Sequence, residues 1–155
     1  MTSGGGGTEV YFYHLERRSL EQTLPTLLQL SLKRGWRAVV QAASEERVEA
    51  LNTLLWTYDD ESFLPHGTAR DGHAAAHPIY LTASDDNPNA AQVRFLVDGA
   101  RLADASAYTR VAYVFDGRDA EAVSRARAEW QAAKARGDAV SYWQQDAEGR
   151  WQQKA

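Results

Sequence analysis

The sequence contains no cysteine, which excludes disulfide bonds and zinc sites built on thiolates. It contains no apolar run approaching the roughly 18 residues that a membrane-spanning helix needs. Its first residues also lack the basic and apolar regions of a signal peptide. These absences predict a cytoplasmic protein, and a chain without cysteine suits a reducing compartment.

Basic residues are not in excess, because 17 lysines and arginines stand against 21 acidic residues and give a formal net charge of -4. A broad nucleic-acid-binding surface needs a positive excess, so this class of protein is disfavoured, while a local basic patch stays possible. The 155 residues are enough for one domain with its own core. We expect a single domain over residues 9–155, preceded by a flexible glycine-rich N-terminus over residues 1–8.

The motifs of phosphate binding and of nucleophilic catalysis are missing. The sequence has no Gly-x-x-x-x-Gly-Lys-Ser/Thr loop and no Gly-x-Ser-x-Gly elbow. The glycine run at residues 4–7 is not a dinucleotide-binding loop, since no strand precedes it and no helix follows. We therefore expect no catalytic residues, no cofactor and no intrinsic enzymatic activity.

Two groups of possible metal ligands are weak. His73 and His77 have the spacing of a metal pair on a helix, but only alanines separate them and Pro78 follows, which favours a loop. The acidic triplet at residues 59–61 could hold a divalent cation, yet such a triplet on a turn is more often simply solvated. The sequence predicts no metal site.

Segments rich in valine and aromatic residues predict six strands. These segments are residues 9–15, 36–42, 78–83, 93–97, 111–115 and 139–143. Residues 63–67 and 69–77 are predicted as loops, and residues 144–155 as a polar tail.

Three helical patterns alternate with these strands. Ser19, with Gln22 three residues later, can cap a leucine-rich helix that ends at Gly35, in which Pro25 either causes a kink or marks where the regular helix starts. Ser44 opens a second helix, and residues 119–136 form the third, most regular pattern. The alternation predicts a three-layer α/β/α domain with a mostly parallel sheet, Rossmann-like but without a phosphate-binding loop.

Two groups of aromatic residues are candidates for binding. Trp56 and Phe63 flank the acidic triplet and either seal a local core or form a patch that binds a partner. On the third helix, Val123, Arg127, Trp130 and Lys134 fall within roughly 60° of one another, beside a stripe of small residues suited to packing on the sheet. That face is either a solvated one on which arginine and lysine stems cover an aromatic ring, or a pocket for an acidic peptide.

The sequence also resembles the chi subunit family of bacterial DNA polymerase III, from residue 8 onward. The resemblance is carried by an ordered set of short motifs and not by any one of them. They are Phe12-Tyr13-His14-Leu15, Gly35-Trp36-Arg37-Ala38-Val39-Val40, Leu54-Leu55-Trp56, Glu61-Ser62-Phe63-Leu64-Pro65-His66-Gly67, and Arg127-Ala128-Glu129-Trp130 with Lys134 and Gly137.

The resemblance implies an α/β, non-catalytic accessory subunit of the clamp-loader assembly. It implies that Arg127, Trp130, Lys134 and Val123 bind the acidic C-terminal tail of single-stranded-DNA-binding protein. It further implies that Trp56 and Phe63 bind the psi subunit or a repair helicase. Gln131 stands where the family can have a further lysine, so the predicted pocket is less positive here. The alternatives are a nucleotide-dependent enzyme on the same scaffold and a direct DNA binder.

Overall fold

The computed structural model describes residues 8–57, 64–102 and 104–155. In this part of the chain the helices are α1 (Leu20–Lys33), α2 (Glu45–Thr57) and α3 (Ala120–Arg136). The strands are β1 (Glu9–Leu15), β2 (Ala38–Gln41), β3 (His66–Thr68), β4 (Ile79–Thr82), β5 (Val93–Leu96), β6 (Arg110–Asp116), β7 (Ala139–Gln145) and β8 (Trp151–Gln153). Two single-turn 3-10 helices, Ala69–Asp71 and Ala74–Ala76, connect β3 to β4.

These strands form one sheet in the order β3-β4-β2-β5-β6-β1-β7-β8. Neighbouring strands run parallel, except for the antiparallel pair of β7 and β8. Apolar residues of α1 and α2 pack on one face of the sheet, and those of α3 pack on the other. This confirms the predicted three-layer α/β fold with a mostly parallel sheet.

Strand β1 shows why the sheet needs helices on both faces. Successive side chains of a strand point to opposite faces. In β1, the buried Val10 and Phe12 pack with Ala126 and Ala133 of α3, while Leu15 packs in the core beneath α1 and α2. Because β1 lies between β6 and β7, both of its faces are covered, as is usual for parallel strands.

Helix α1 starts where its capping signal predicts. The Ser19 hydroxyl accepts a hydrogen bond from the Gln22 amide at 3.2 Å, and the Gln22 side chain accepts one from the Ser19 amide at 2.9 Å. The helix therefore begins at Leu20, with Pro25 inside it and buried, so the alternative that the helix starts only near Pro25 is wrong. The capping box satisfies two amides that the first turn leaves unpaired.

The exit from the Trp56 stretch was predicted as a loop, which is wrong for residues 66–67. His66–Thr68 is the edge strand β3, paired in parallel with β4. Pro65 holds the preceding residue in extended geometry, which suits the entry to a strand at a sheet edge. The predicted loop at residues 69–77 holds the two 3-10 turns, the first of them capped by Thr68 and Asp71.

The prediction of a polar tail at residues 144–155 is also wrong. Strand β7 runs on to Gln145, and β8 returns antiparallel beside it. The turn between them is stabilised by Asp146, whose Oδ1 accepts hydrogen bonds from the amides of Glu148 and Arg150, each at 2.9 Å. Trp151 packs edge-on against Tyr13, with ring centroids 5.0 Å apart. The hairpin therefore belongs to the folded sheet.

The predicted flexible N-terminus falls almost entirely outside the described residues, which begin at Thr8. Thr8 itself is buried, and its hydroxyl donates to the carbonyl oxygens of Ala105 and Tyr108 at 3.3 Å and 3.0 Å. Thr8 therefore belongs to the fold. Among the described residues, no helix combines the length and apolar character needed to cross a membrane.

Candidate peptide-binding site

One flank of helix α3 packs on the sheet, and the other flank is exposed. The Asp119 carboxylate caps its start by accepting from the amides of Glu121 at 3.0 Å and Ala122 at 3.4 Å. Gly137, with φ of 85°, ends it in the left-handed conformation that glycine adopts without strain. Ala126 and Ala133 are buried, as the predicted stripe of small residues requires.

Trp130 is half-buried on the flank of α3 that faces β7. Its ring stands edge-on to Phe12, with centroids 5.5 Å apart, and edge-on to Tyr142, with centroids 5.8 Å apart. The Tyr142 hydroxyl lies 2.6 Å from Nδ1 of His14, which fixes the ring beside Trp130. The His14 ring fills the space next to Gly117, where a Cβ atom would collide with it. Trp130 is thus a rigid indole at the surface.

The two predicted cations lie around this indole. The Lys134 ammonium is 5.7 Å from the centroid of the Trp130 ring, within cation–π range. Arg127 is exposed one turn before Trp130. Burial raises the pKa of Tyr142, and the positive charge of Arg127 partly offsets that rise.

The other arginines of α3 are already paired. Arg125 contacts Glu121 at 3.8 Å, and Arg136 contacts Asp138 at 3.0 Å. Within residues 8–57, 64–102 and 104–155, neither Arg127 nor Lys134 has a carboxylate within 4 Å. Two cations beside a fixed aromatic ring can hold a ligand that carries both an aromatic group and a carboxylate.

Val123 is half-buried on the same flank, one turn before Arg127. The structure therefore brings together all four residues that helical periodicity placed on one face. Periodicity did not identify Tyr142 and His14, because they lie on strands β7 and β1 and not on α3 itself. The turn-forming residues Asp146 and Gly149, flanked by Trp143 and Trp151, are the signal that could have revealed the hairpin.

Trp56 lies elsewhere, at the end of α2 and beside the sheet edge formed by β3. Its side chain is 57% exposed, and its ring contacts the His66 ring with centroids 4.8 Å apart. This exposure rules out the core interpretation for Trp56. Phe63 and the acidic triplet lie outside the described residues, so their roles stay predictions.

A polar cavity of about 460 Å³ lies at the carboxyl ends of β1 and β6, where open α/β sheets commonly bind ligands. The β1–α1 connection beside it, residues 16–19, contains no glycine. In the first turns of the helices, the Gln22 amide of α1 is bound to Ser19, and the amides of Glu121 and Ala122 of α3 are bound to Asp119. Arg47 is engaged by Asp98 at 2.7 Å and by Glu21 at 3.3 Å. These groups are not arranged as a phosphate cradle.

The two histidines considered for metal binding, His73 and His77, lie on either side of the 3-10 helix Ala74–Ala76. His77 Nε2 lies 2.9 Å from the Gly72 carbonyl oxygen, and His73 precedes a 3-10 turn in the left-handed conformation. Across the described part of the chain, no group of three or more histidine or acidic side chains is close enough to hold a metal ion.

Fold and site together define an α/β domain that carries an exposed aromatic–cation face in place of a phosphate loop. A family model described as DNA polymerase III chi subunit, HolC, matches residues 8–141. The probable DNA polymerase III subunit chi of Rickettsia prowazekii (strain Madrid E) is 29% identical over 102 residues, which are 64% of this chain. The chain spans 62% of that relative's length. Since the family model covers most of its residues, the chain belongs to the DNA polymerase III chi subunit family.

Proposed function

We propose that this protein is a non-catalytic accessory subunit of the bacterial replicative DNA polymerase III, within the cytoplasmic clamp-loader complex. We further propose that the α3 face binds the acidic C-terminal tail of single-stranded-DNA-binding protein. The observation that carries this proposal is the arrangement around Trp130, where Arg127 and Lys134 lack carboxylate partners within the described residues. At the polar cavity, the N-termini of α1 and α3 are capped by their own residues. This capping supports the absence of nucleotide chemistry.

An acidic tail that ends in an aromatic residue has two groups that this face can hold. Its ring packs on Trp130, and its terminal carboxylate pairs with the planar guanidinium of Arg127. Lys134 attracts the acidic residues that precede the ring. The interface is small and the peptide must be ordered on binding, so we expect micromolar affinity, about -8 kcal/mol.

Fluorescence anisotropy with a labelled acidic peptide ending in phenylalanine tests this function. The peptide should bind in the micromolar range, and binding should weaken as salt rises from about 0.05 to 0.3 M, because the ion pairs lie near solvent. Amidating the peptide's C-terminus should weaken binding severalfold, since it removes the carboxylate that pairs with Arg127. Equal binding of the amidated and free-acid peptides, or none of either, would contradict the proposal.

We also propose that Trp56, together with Phe63, binds the psi subunit of the clamp loader or a repair helicase. The exposure of the Trp56 side chain at the end of α2 supports this. Trp56 lies near the edge of the sheet formed by β3, and Trp130 lies near the opposite edge formed by the β7–β8 hairpin, on the other face. The two proposed partners therefore do not compete for the same surface.

A further inference from the structure

The hairpin of β7 and β8 continues past the region that the chi family model matches, which ends at residue 141. It forms the edge of the sheet directly beside the open flank of α3. Side chains directly opposite each other in an antiparallel pair lie on the same face. Gln152 is opposite Gln144, and the Lys154 amide donates to the Tyr142 carbonyl oxygen at 2.7 Å. Lys154 is therefore on the same face as Tyr142, the residue that contacts Trp130.

This placement gives the Trp130 surface a second wall. Helix α3 forms the first wall, with Arg127 and Lys134, and Tyr142 lies on the floor between the helix and the sheet edge. Gln152 and Lys154 are exposed on β8 and just after it, on the far side of Tyr142. We call this feature the α3–β8 groove.

The groove is positive although the chain as a whole has a net charge of -4. Within the described ranges, Lys154, like Arg127 and Lys134, has no carboxylate within 4 Å. Glu16, just after β1, accepts a hydrogen bond from the Gln144 side-chain amide at 3.0 Å and lies 2.9 Å from Nε2 of His14. Three cations therefore line the groove.

The hairpin is also held firmly enough to position a side chain. On the opposite face of the sheet, Trp151 packs edge-on against Tyr13. At its turn, Arg150 pairs with Asp146 at 3.1 Å. A lysine at a fixed backbone position loses less conformational freedom on binding than one on a loose terminus.

We infer that Lys154 is a peptide-binding residue of the α3–β8 groove, where it pairs with an acidic side chain of the tail. The inference rests on the proposed function. An extended peptide advances about 3.3 Å per residue. With its terminal ring on Trp130, an aspartate or glutamate one to three residues earlier lies within reach of the long Lys154 side chain. The hairpin thus adds to the site a cation that the family-matched region does not contain.

Charge reversal at two lysines tests the inference with matched net charge. Lys154→Glu is compared with Lys33→Glu, because Lys33 is an exposed lysine in the last turn of α1, on the other face of the sheet. Binding of the labelled acidic peptide is measured by anisotropy at low salt. We expect Lys154→Glu to weaken binding about tenfold and Lys154→Ala about two- to fivefold, with the difference shrinking as salt is added. Lys33→Glu should bind within about twofold of wild type.

A double-mutant cycle separates direct pairing from a general electrostatic or structural effect. Each acidic residue of the peptide is replaced in turn by its amide, and each peptide is titrated against wild type and Lys154→Ala. Direct pairing predicts that one replacement removes most of the Lys154→Ala effect, while the others leave it intact.

The outcomes distinguish this inference from the function on which it rests. If wild type binds the peptide but Lys154→Glu and Lys33→Glu bind equally well, the inference is wrong and the proposed function stands. If wild type does not bind the peptide, the proposed function fails and the inference fails with it. Uniform coupling to every acidic residue of the peptide would also overturn direct pairing.

Discussion

Arg94 is a residue whose role appears only in three dimensions. It is fully buried in β5, where its guanidinium contacts neutral acceptors: the Gln41 side-chain oxygen at 2.7 Å, the Asp86 carbonyl oxygen at 2.8 Å and the Tyr108 hydroxyl at 2.8 Å. It also donates to the Ser84 carbonyl oxygen. A buried charge is tolerated only when its donors are satisfied. Arg94 thereby ties the loops after β4 and before β6 to the centre of the sheet.

Tyr13 makes the stability of the folded protein depend on pH. Burial raises the pKa of Tyr13 to about 12, and the charge of Arg110 offsets part of that effect. The ordinary value is 10.0, so the unfolded chain loses this proton before the folded one does. A raised tyrosine pKa therefore leaves stability intact below pH 10 and reduces it as pH rises from about 10 towards 12.

Tyr13→Phe removes the ionisable hydroxyl and keeps the ring that supports Trp151. We expect the free energies of unfolding of wild type and variant to be similar at pH 8. At pH 11 the variant should be more stable by about 1 kcal/mol. Urea denaturation at both pH values measures the difference. If the free energies of unfolding of wild type and Tyr13→Phe differ by the same amount at pH 8 and at pH 11, Tyr13 does not titrate in this way.

At the scale of elements, α2 ends in an exposed aromatic residue. Trp56 is 57% exposed, and Leu30 of α1, at 52%, is the other large apolar side chain exposed to this degree within the described residues. Two exposed apolar side chains on neighbouring helices allow a matched comparison. The proposed partner surface involves Trp56 and not Leu30.

Trp56→Ala should lower the free energy of unfolding by about 1 kcal/mol or less, because most of the side chain is in water. The same change should abolish capture of the purified psi subunit or repair helicase of the source organism. Leu30→Ala should keep both stability and capture. Pull-down paired with thermal melting measures the two effects. Unchanged capture by Trp56→Ala, with either partner binding wild type, would remove Trp56 from the interface.

At the scale of the whole molecule, the long and regular elements could be predicted from the sequence. The strands rich in valine and aromatic residues and the three helices appear where their patterns place them, within two residues. Strand β3 was not predicted, because three residues are too few for a periodic pattern and its stability comes from pairing with β4. The hairpin was not predicted, since its polar residues face solvent at the sheet edge.

The candidate site, like the fold, could be predicted from the sequence only in part. Helical spacing alone placed Val123, Arg127, Trp130 and Lys134 together, because they belong to one element. Tyr142 and Lys154 join them only through strand pairing and helix–sheet packing, which involve contacts distant in the sequence. A surface assembled from several elements is therefore only partly visible in the sequence.

We propose that the flank of α3 around Trp130, and not α3 as a whole, binds an acidic tail. Arg127 and Arg125 are two residues apart on α3 but lie on opposite flanks, since Arg125 lines a cavity beside Gly99 and pairs with Glu121. Comparing their alanine variants holds residue type, charge change and helix constant. The direct measurement is the peptide's dissociation constant for wild type, Arg127→Ala and Arg125→Ala by anisotropy. We predict that Arg127→Ala weakens binding about tenfold or more, while Arg125→Ala stays within about twofold of wild type. Equal losses in the two variants, or wild-type binding by Arg127→Ala, would show that this flank of α3 is not the binding site.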